Sequence, residues 1–448
     1  MTAPLQPQAT ILELGDAFYD PVAPATFPQT ILRFRNDRAA AQVGLDGWDD
    51  AEWIAHCGRF APLPGSLPAP LALRYHGHQF RVYNPDIGDG RGFLYAQLRD
   101  DRGRLMDLGT KGSGTTPWSR FGDGRLTLKG GVREILATEM LEALGVETSR
   151  SFSLIETGEA LTRNDEPSPT RGAVLVRLSH GHIRIGTFQR LAYHRDEEAM
   201  RRLVDYVLRH LHGEQPGDDA PVRLLDNVVA RAARLAARYM AAGFVHGVLN
   251  SDNINVTGES FDYGPWRFAP HWDADFVAAY FDHAGLYAFG RQPEAIHWDV
   301  MQLAVSLRTI AAAEPLIAAL DRFPERYQAE VTDAILWRLG VVPRGTGDDR
   351  ALVQAIERGL RASQVGIDDF FHAGFGGILP PDDGFDEARA AITGYRPRKA
   401  RAAWWDGAPC SMLIDEVESI WSAIDERDDW APLHAKVAQV RTLGEALA

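Results

Sequence analysis

The sequence predicts an α+β fold in two lobes, a small one of antiparallel strands around a single helix and a larger one that is mostly helical. Three observations predict it. From residue 76 to about 130, β-prone runs at 92–98 and 104–108 are punctuated by Gly-Asp-Gly turns. Next, Val132, Ile135, Leu136, Met140, Leu141 and Leu144 recur at helical spacing and stop at Gly145, and two further strands follow at 151–156 and 173–178. Finally, Val228, Val229, Ala232, Leu235, Ala236 and Met240 mark a helix with Asp226 as its expected N-cap and Gly243 as its stop, running straight into His246.

In chain order, residues 1–75 are rich in Pro and Asp, with an amphipathic stretch at 48–60, and read as a covering extension. Residues 76–180 make the small lobe and 181–340 the large one, which gains helices at 298–313 and 329–339. Residues 341–448 read as a C-terminal helical extension: a helix at 351–362, irregular Gly-, Asp- and Pro-rich chain at 363–395, a helix near 410–424 and a polar tail.

An apolar content of 45% with 24% charged residues is that of an ordinary globular protein. The net charge of −14 argues against general binding to nucleic acid or an anionic membrane. An acidic chain that handles a polyanion must concentrate Arg and Lys locally. No apolar run approaches the roughly 20 residues of a membrane span, and residues 1–20 lack the basic start and apolar core of a secretory leader. Cys57 and Cys410 alone support neither a disulfide framework nor a thiolate zinc site. The expectation is a cytoplasmic monomer.

The most informative segment reads His246-Gly-Val248-Leu-Asn-Ser-Asp252-Asn253, followed by Asp262-Tyr263-Gly264. It outlines the kinase catalytic pattern H-R-D-L-x-x-x-N and D-F-G, in which the first Asp orients a hydroxyl and the Asn and later Asp hold magnesium. Residues 254–257 read as a strand between the two parts, followed by a Gly-Glu-Ser turn. Val248 occupies the place of the usual catalytic Asp and can neither orient nor deprotonate a hydroxyl. An acid reappears at Asp252. Either fragment alone makes a good turn; in this order, behind an apolar helix, they indicate a nucleotide-metal site on a protein-kinase-like fold.

Other residues fit that site. Lys111 lies in Gly109-Thr-Lys-Gly-Ser-Gly-Thr-Thr116, where glycines let backbone N–H groups approach phosphate, although the segment is not a Walker A loop. Glu134, early in the next helix, can pair with Lys111, while Arg133 must face elsewhere. Gly-Asp-Gly-Arg occurs at Gly88 to Arg91 and again at Gly122 to Arg125, each a hairpin signal beside an Arg. Arg177 and Arg184 sit in apolar, strand-like surroundings, where a guanidinium either forks onto phosphate or pairs with a core carboxylate. His246 reads as a structural brace, as do His180, His182 and His271.

With Tyr75-His-Gly-His-Gln-Phe80, Val132-Arg-Glu134 and His182-Ile-Arg-Ile-Gly-Thr-Phe-Gln189 added to these motifs, the chain resembles the selenoprotein O (YdiU-type) family of pseudokinases from about residue 75 to 307. The resemblance implies a kinase-like fold that binds ATP in a flipped orientation and transfers AMP to Ser, Thr or Tyr of proteins. It also implies Gly88, Gly90, Arg91, Lys111, Asp123, Gly124, Arg177 and Arg184 at the nucleotide, with Asp262 beside them. Asp252 would accept the proton, Asn253 and Asp262 would hold magnesium or manganese, and Glu134 would pair with Lys111. Replacing Asp262 is expected to end transfer without unfolding the chain. Family members commonly pair a Cys after Asp-Tyr-Gly-Pro with one near the C-terminus; residues 272–284 contain none, so redox control by that bridge is not expected. Two competing readings are a kinase using Asp252 as a relocated base and a nucleotide-binding scaffold without activity.

Overall fold

The computed structural model describes residues 4–164, 166–381 and 383–448. Among them, nine strands join in one antiparallel sheet. In chain order these are β1 (Pro7–Gln8), β2 (Tyr19–Pro21), β3 (Ile31–Arg35), β4 (Leu71–Leu73), β5 (Leu94–Arg99), β6 (Leu105–Lys111), β7 (Leu126–Thr127), β8 (Arg150–Leu161) and β9 (Thr170–Ser179). The main path runs β2-β4-β5-β6-β9-β8-β3, with β1 on β5 and β7 on β9. Four of the nine strands come from residues 1–75: the segment expected to lie over the sheet is paired into it, β3 at one end of the path and β2 at the other.

Helix α1 (Leu128–Ala143) lies against the sheet and is buried on nearly every side, so Val132, Ile135, Leu136 and Met140 are fully enclosed. Thr127 caps it through a hydrogen bond from Gly130 N–H. Burial on nearly every side marks a core position, although Lys129, Arg133, Glu134, Glu139 and Glu142 interrupt its apolar residues. The Arg133 guanidinium leaves the sheet side, donating to Trp266 O at 3.0 Å and lying 4.7 Å from that indole.

The rest is mostly helical, apart from two small antiparallel pairs, Gly77–Gln79 with Val82–Asn84 and Phe244–Val245 with Arg267–Phe268. Helix α2 (Ile185–His194) and the helix Glu197–Tyr206 follow the sheet directly, in a stretch for which the sequence reading named no helix. Helix α3 (Ala220–Ala242) starts earlier than expected, with Asp219 at its N-cap and Pro221 in its first turn. Asp226 is therefore inside the helix, where it pairs with Arg322 and Arg326 at 2.9 Å. Helix α4 (Gln292–Leu307) also begins before its expected start, and α5 (Phe323–Leu339) packs along α3. The expected strand at 254–257 is not formed; Asn255 makes one isolated bridge to Arg184 and Ser260 another to Thr148. The expected polar tail is a helix, α6 (Ala431–Leu447), which lays Val437, Val440, Leu443 and Leu447 against α1. No helix among the described residues is long and apolar enough to cross a membrane.

Candidate functional site

A cleft of about 810 Å³ opens between the sheet and the helical half. Its lining includes every residue assigned above to nucleotide or metal: Gly88, Gly90, Arg91, Lys111, Asp123, Gly124, Arg177, Arg184, Asp252, Asn253 and Asp262, with Val248 among them. Glu134 stands just behind.

Lys111 ends β6 and is buried in the sheet, not carried on a loose glycine loop. Its Nζ donates to Glu134 Oε1 and lies 3.2 Å from Asp262 Oδ1. Arg177, on β9 two residues along from the partner of Lys111, donates to the same Asp262 oxygen at 2.9 Å. Arg184 approaches Asp262 Oδ2 at 3.6 Å and Asp89 at 3.2 Å. It is not a strand residue: it is the extended N-cap of α2, stacked 4.2 Å from the Tyr75 ring and 4.9 Å from Phe261. Burial opposes ionisation of Asp262, yet Arg177, Lys111 and Arg184 outweigh it and hold the carboxyl well below the usual range. Asp262 takes this position with a left-handed backbone, φ +64°, a conformation Asp tolerates better than most residues.

The loop below is braced from several sides. His246 Nε2 donates to Phe261 O at 3.0 Å, and its Nδ1 receives the Val248 N–H at 3.4 Å. Burial lowers its pKa, so the ring is a neutral brace, as expected. Asn253 Nδ2 donates to Val248 O at 2.9 Å, which leaves Oδ1 as the atom that side chain can offer a cation. The hairpin Gly77–Gln79 with Val82–Asn84 clamps the loop from above: His78 N–H donates to Ser251 Oγ at 2.7 Å and Phe80 N–H to Asn250 Oδ1 at 3.0 Å. A Cβ on Gly77 would come within 2.9 Å of Asp252. Asp252 is buried with Oδ1 lacking a hydrogen-bond partner. Burial raises its pKa to about 6, partly offset by Arg184 and reinforced by Asp262.

The two Gly-Asp-Gly-Arg segments serve different ends. Gly88 and Gly90 form no hairpin turn; they let Trp118 pack directly on the backbone, since a Cβ on Gly88 would meet its indole at 2.6 Å. Gly124 does need its freedom, with φ +70° and a would-be Cβ 2.2 Å from Gly114. Asp123 is engaged by Arg163 at 2.8 Å. His182, His180 and His271 take no part; His182 Nδ1 lies 3.3 Å from Asp107 and His271 Nδ1 3.3 Å from Val365 O.

Three site residues were given no role from sequence. Asp89 stands in the middle of a Gly-Asp-Gly-Arg turn signal, Tyr75 opens a motif, and Trp118 carries no separate signal of its own. Asp89 Oδ2 accepts the Leu73 N–H at 3.0 Å while Oδ1 takes Arg184, and Trp118 Nε1 donates to Asp20 at 2.9 Å. The available signal was an acid flanked by glycines, beside an Arg, in a chain already short of acids at Val248.

Three buried cations converging on one carboxylate, next to a second acid poised near neutrality, suit a polyanion delivered with a hard cation. The family model described as protein adenylyltransferase SelO matches residues 2–374. A protein nucleotidyltransferase YdiU of Synechocystis sp. is 48% identical over 96% of both chains. Its namesake from Gloeobacter violaceus is 44% identical over 96% of this chain and 93% of the relative. That of Azotobacter vinelandii is 36% identical over 80% of this chain and 73% of the relative. The chain belongs to the SelO family.

Proposed function

We propose that this chain is a protein adenylyltransferase, moving AMP from ATP to Ser, Thr or Tyr hydroxyls of proteins and releasing pyrophosphate. The observation that carries this is the exchange of roles along one loop. Val248 lines the cleft where a kinase would hold its Asp, and Asp252, buried with an idle oxygen, titrates near 6. A base matched to neutral pH is what proton abstraction from a hydroxyl needs. The protein-kinase-like reading of the scaffold is supported by Lys111 on the sheet paired to Glu134 on α1, facing a loop held by helices.

In the step proposed, the acceptor oxygen bonds to the α-phosphorus while the bond from that phosphorus to the oxygen leading to the β-phosphorus breaks. Asp252 takes the hydroxyl proton, and pyrophosphate leaves with the electron pair. Lys111, Arg177 and Arg184 face the growing charge on the leaving group, each preorganised by Asp262, Glu134 or Asp89. The donor set fits a hard divalent ion such as magnesium or manganese. Asn253 Oδ1 and the Asp262 carboxylate would hold it, and no group of three or more His, Cys, Asp or Glu among the described residues competes. Two protein oxygens beside a polyphosphate match an ion that keeps phosphate and water ligands. When bound it neutralises phosphate charge.

Incubation with ATP labelled at the α- or the γ-phosphorus tests the reading. Label should enter protein from the α position only. Entry from γ would mean a kinase, and entry from neither a binding scaffold.

A further inference from the structure

Phe121 is 107% exposed, the highest value of any large apolar side chain among the described residues, yet it belongs to the lining of the cleft. The loop that carries it is built, not slack. Thr116 Oγ1 donates to Asp89 O, Ser119 Oγ to Gly90 O, Trp118 Nε1 to Asp20, and Gly114 N–H to Gly124 O. Arg120 adopts φ +52° immediately before the ring, and such backbone strain persists only where the surroundings impose it. A fully solvated phenyl ring on so constrained a turn has no packing role in the free protein.

The register of β9 locates this loop relative to the cations. Arg177 pairs with Gly109, Leu175 with Lys111, and Ala173 with Leu126, the residue where the loop returns to the sheet. Arg177 and the Phe121 loop therefore lie on opposite sides of Lys111. Two rim guanidiniums are already committed, Arg125 to Glu159 at 2.9 Å and Arg163 to Asp123 at 2.8 Å. The phosphates of a nucleotide belong with Lys111, Arg177 and Arg184, which leaves the base at the rim. There a flat apolar face open to solvent is the group that would hold a purine.

We propose that Phe121 is the platform on which the nucleotide base stacks, which makes it a determinant of affinity for ATP. The proposal rests on the reading of the cleft as an ATP site with the phosphates inward. Calorimetric titration of Phe121→Ala, Phe121→Leu and the unaltered protein, with magnesium-ATP and with magnesium tripolyphosphate, tests it. Phe121→Ala should lose affinity for ATP by about ten-fold and keep its affinity for tripolyphosphate. Phe121→Leu, which keeps apolar bulk without a flat face, should lose nearly as much. Melting temperatures without ligand should match, because the ring is fully exposed. Unchanged ATP affinity in Phe121→Ala, full retention in Phe121→Leu, or an equal loss for both ligands would overturn the stacking role. An unaltered protein that binds tripolyphosphate but not ATP would overturn the ATP reading itself, and the stacking role with it.

Discussion

Asp262 receives Lys111 at 3.2 Å, Arg177 at 2.9 Å and Arg184 at 3.6 Å, all three buried. Replacing it with Ala strands that charge, and breaking a buried pair costs roughly 3–5 kcal/mol. Asp262→Ala should therefore melt clearly earlier than the unaltered protein without ligand, as well as losing transfer. That amends the expectation of lost activity in an intact fold, because a sequence shows a carboxylate but not how many cations depend on it. An unchanged melting curve would show that Glu134 and Asp89 suffice as partners. Asp252 should behave oppositely. Its folded pKa of about 6 lies above the ordinary value of about 3.9. Its contribution to stability is thus fully present below about pH 4 and lost as pH rises through 6. Asp252→Asn should raise the melting temperature at pH 7.5 while lowering transfer about 10²–10⁴-fold. In the unaltered protein, transfer should rise with pH through about 6. A pH profile flat from 5 to 8 would remove Asp252 as the base.

At the scale of elements, α6 matters more than its place at the end of the chain suggests. Arg441 on α6 grips Glu139 of α1 with two hydrogen bonds, at 2.6 and 2.8 Å. Gly444 lies so close that a Cβ there would sit 3.3 Å from the Ala143 Cα. Helix α1 carries Glu134, the partner of Lys111, so α6 braces one wall of the cleft. A chain ending at residue 430 should melt earlier and transfer AMP more slowly even at saturating magnesium-ATP; normal melting and turnover would make the brace dispensable. The helical signal for α6 was present in Leu433, Val437, Val440 and Leu447, and was obscured by the charged residues between them. Helix α2, the helix after it and α6 were not legible, whereas α1, α3, α4 and α5 were, because burial imposes a period on their apolar residues. Starts were less so. Asp226 has the chemistry of a cap, but it is consumed by Arg322, the N-cap of α5, and by Arg326 in its first turn, a partnership between distant segments. The strand at 254–257 failed for a related reason: within it only Asn255 finds a bridge partner, at Arg184, so no ladder forms.

Across the whole molecule, ligand binding and stability should be linked through the cleft. The free protein keeps Lys111, Arg177 and Arg184 close to Asp262, and a nucleotide with its metal adds further contacts to both walls at once. At a hundred times its dissociation constant, a ligand that binds only the folded state adds about 2.7 kcal/mol. Magnesium-ATP should therefore raise the melting temperature by several degrees, and magnesium alone should do much less. Equal shifts from the metal with and without ATP would contradict a nucleotide site formed by both halves. Cys57 and Cys410 are both free and buried, and burial raises their thiol pKa values to about 12 and 11, so neither is a ready redox handle.

By itself the sequence determined the α+β class, the order of the motifs, and the presence of Val248 in place of the usual catalytic Asp with an acid four residues on at Asp252. Each of these is written locally, as a period of apolar residues or a fixed spacing of chemical groups. The pairing of Lys111 with Glu134 was open by position and came only with the family resemblance. Only the tertiary structure decided that residues 1–75 supply strands to the sheet, that Arg184 caps a helix, that Asp89 shares its guanidinium, and that three cations depend on Asp262. The physical reason is that strand edges and buried charges are satisfied by whatever partner the fold brings within about 3 Å, and the chain carries no local record of which distant segment that will be.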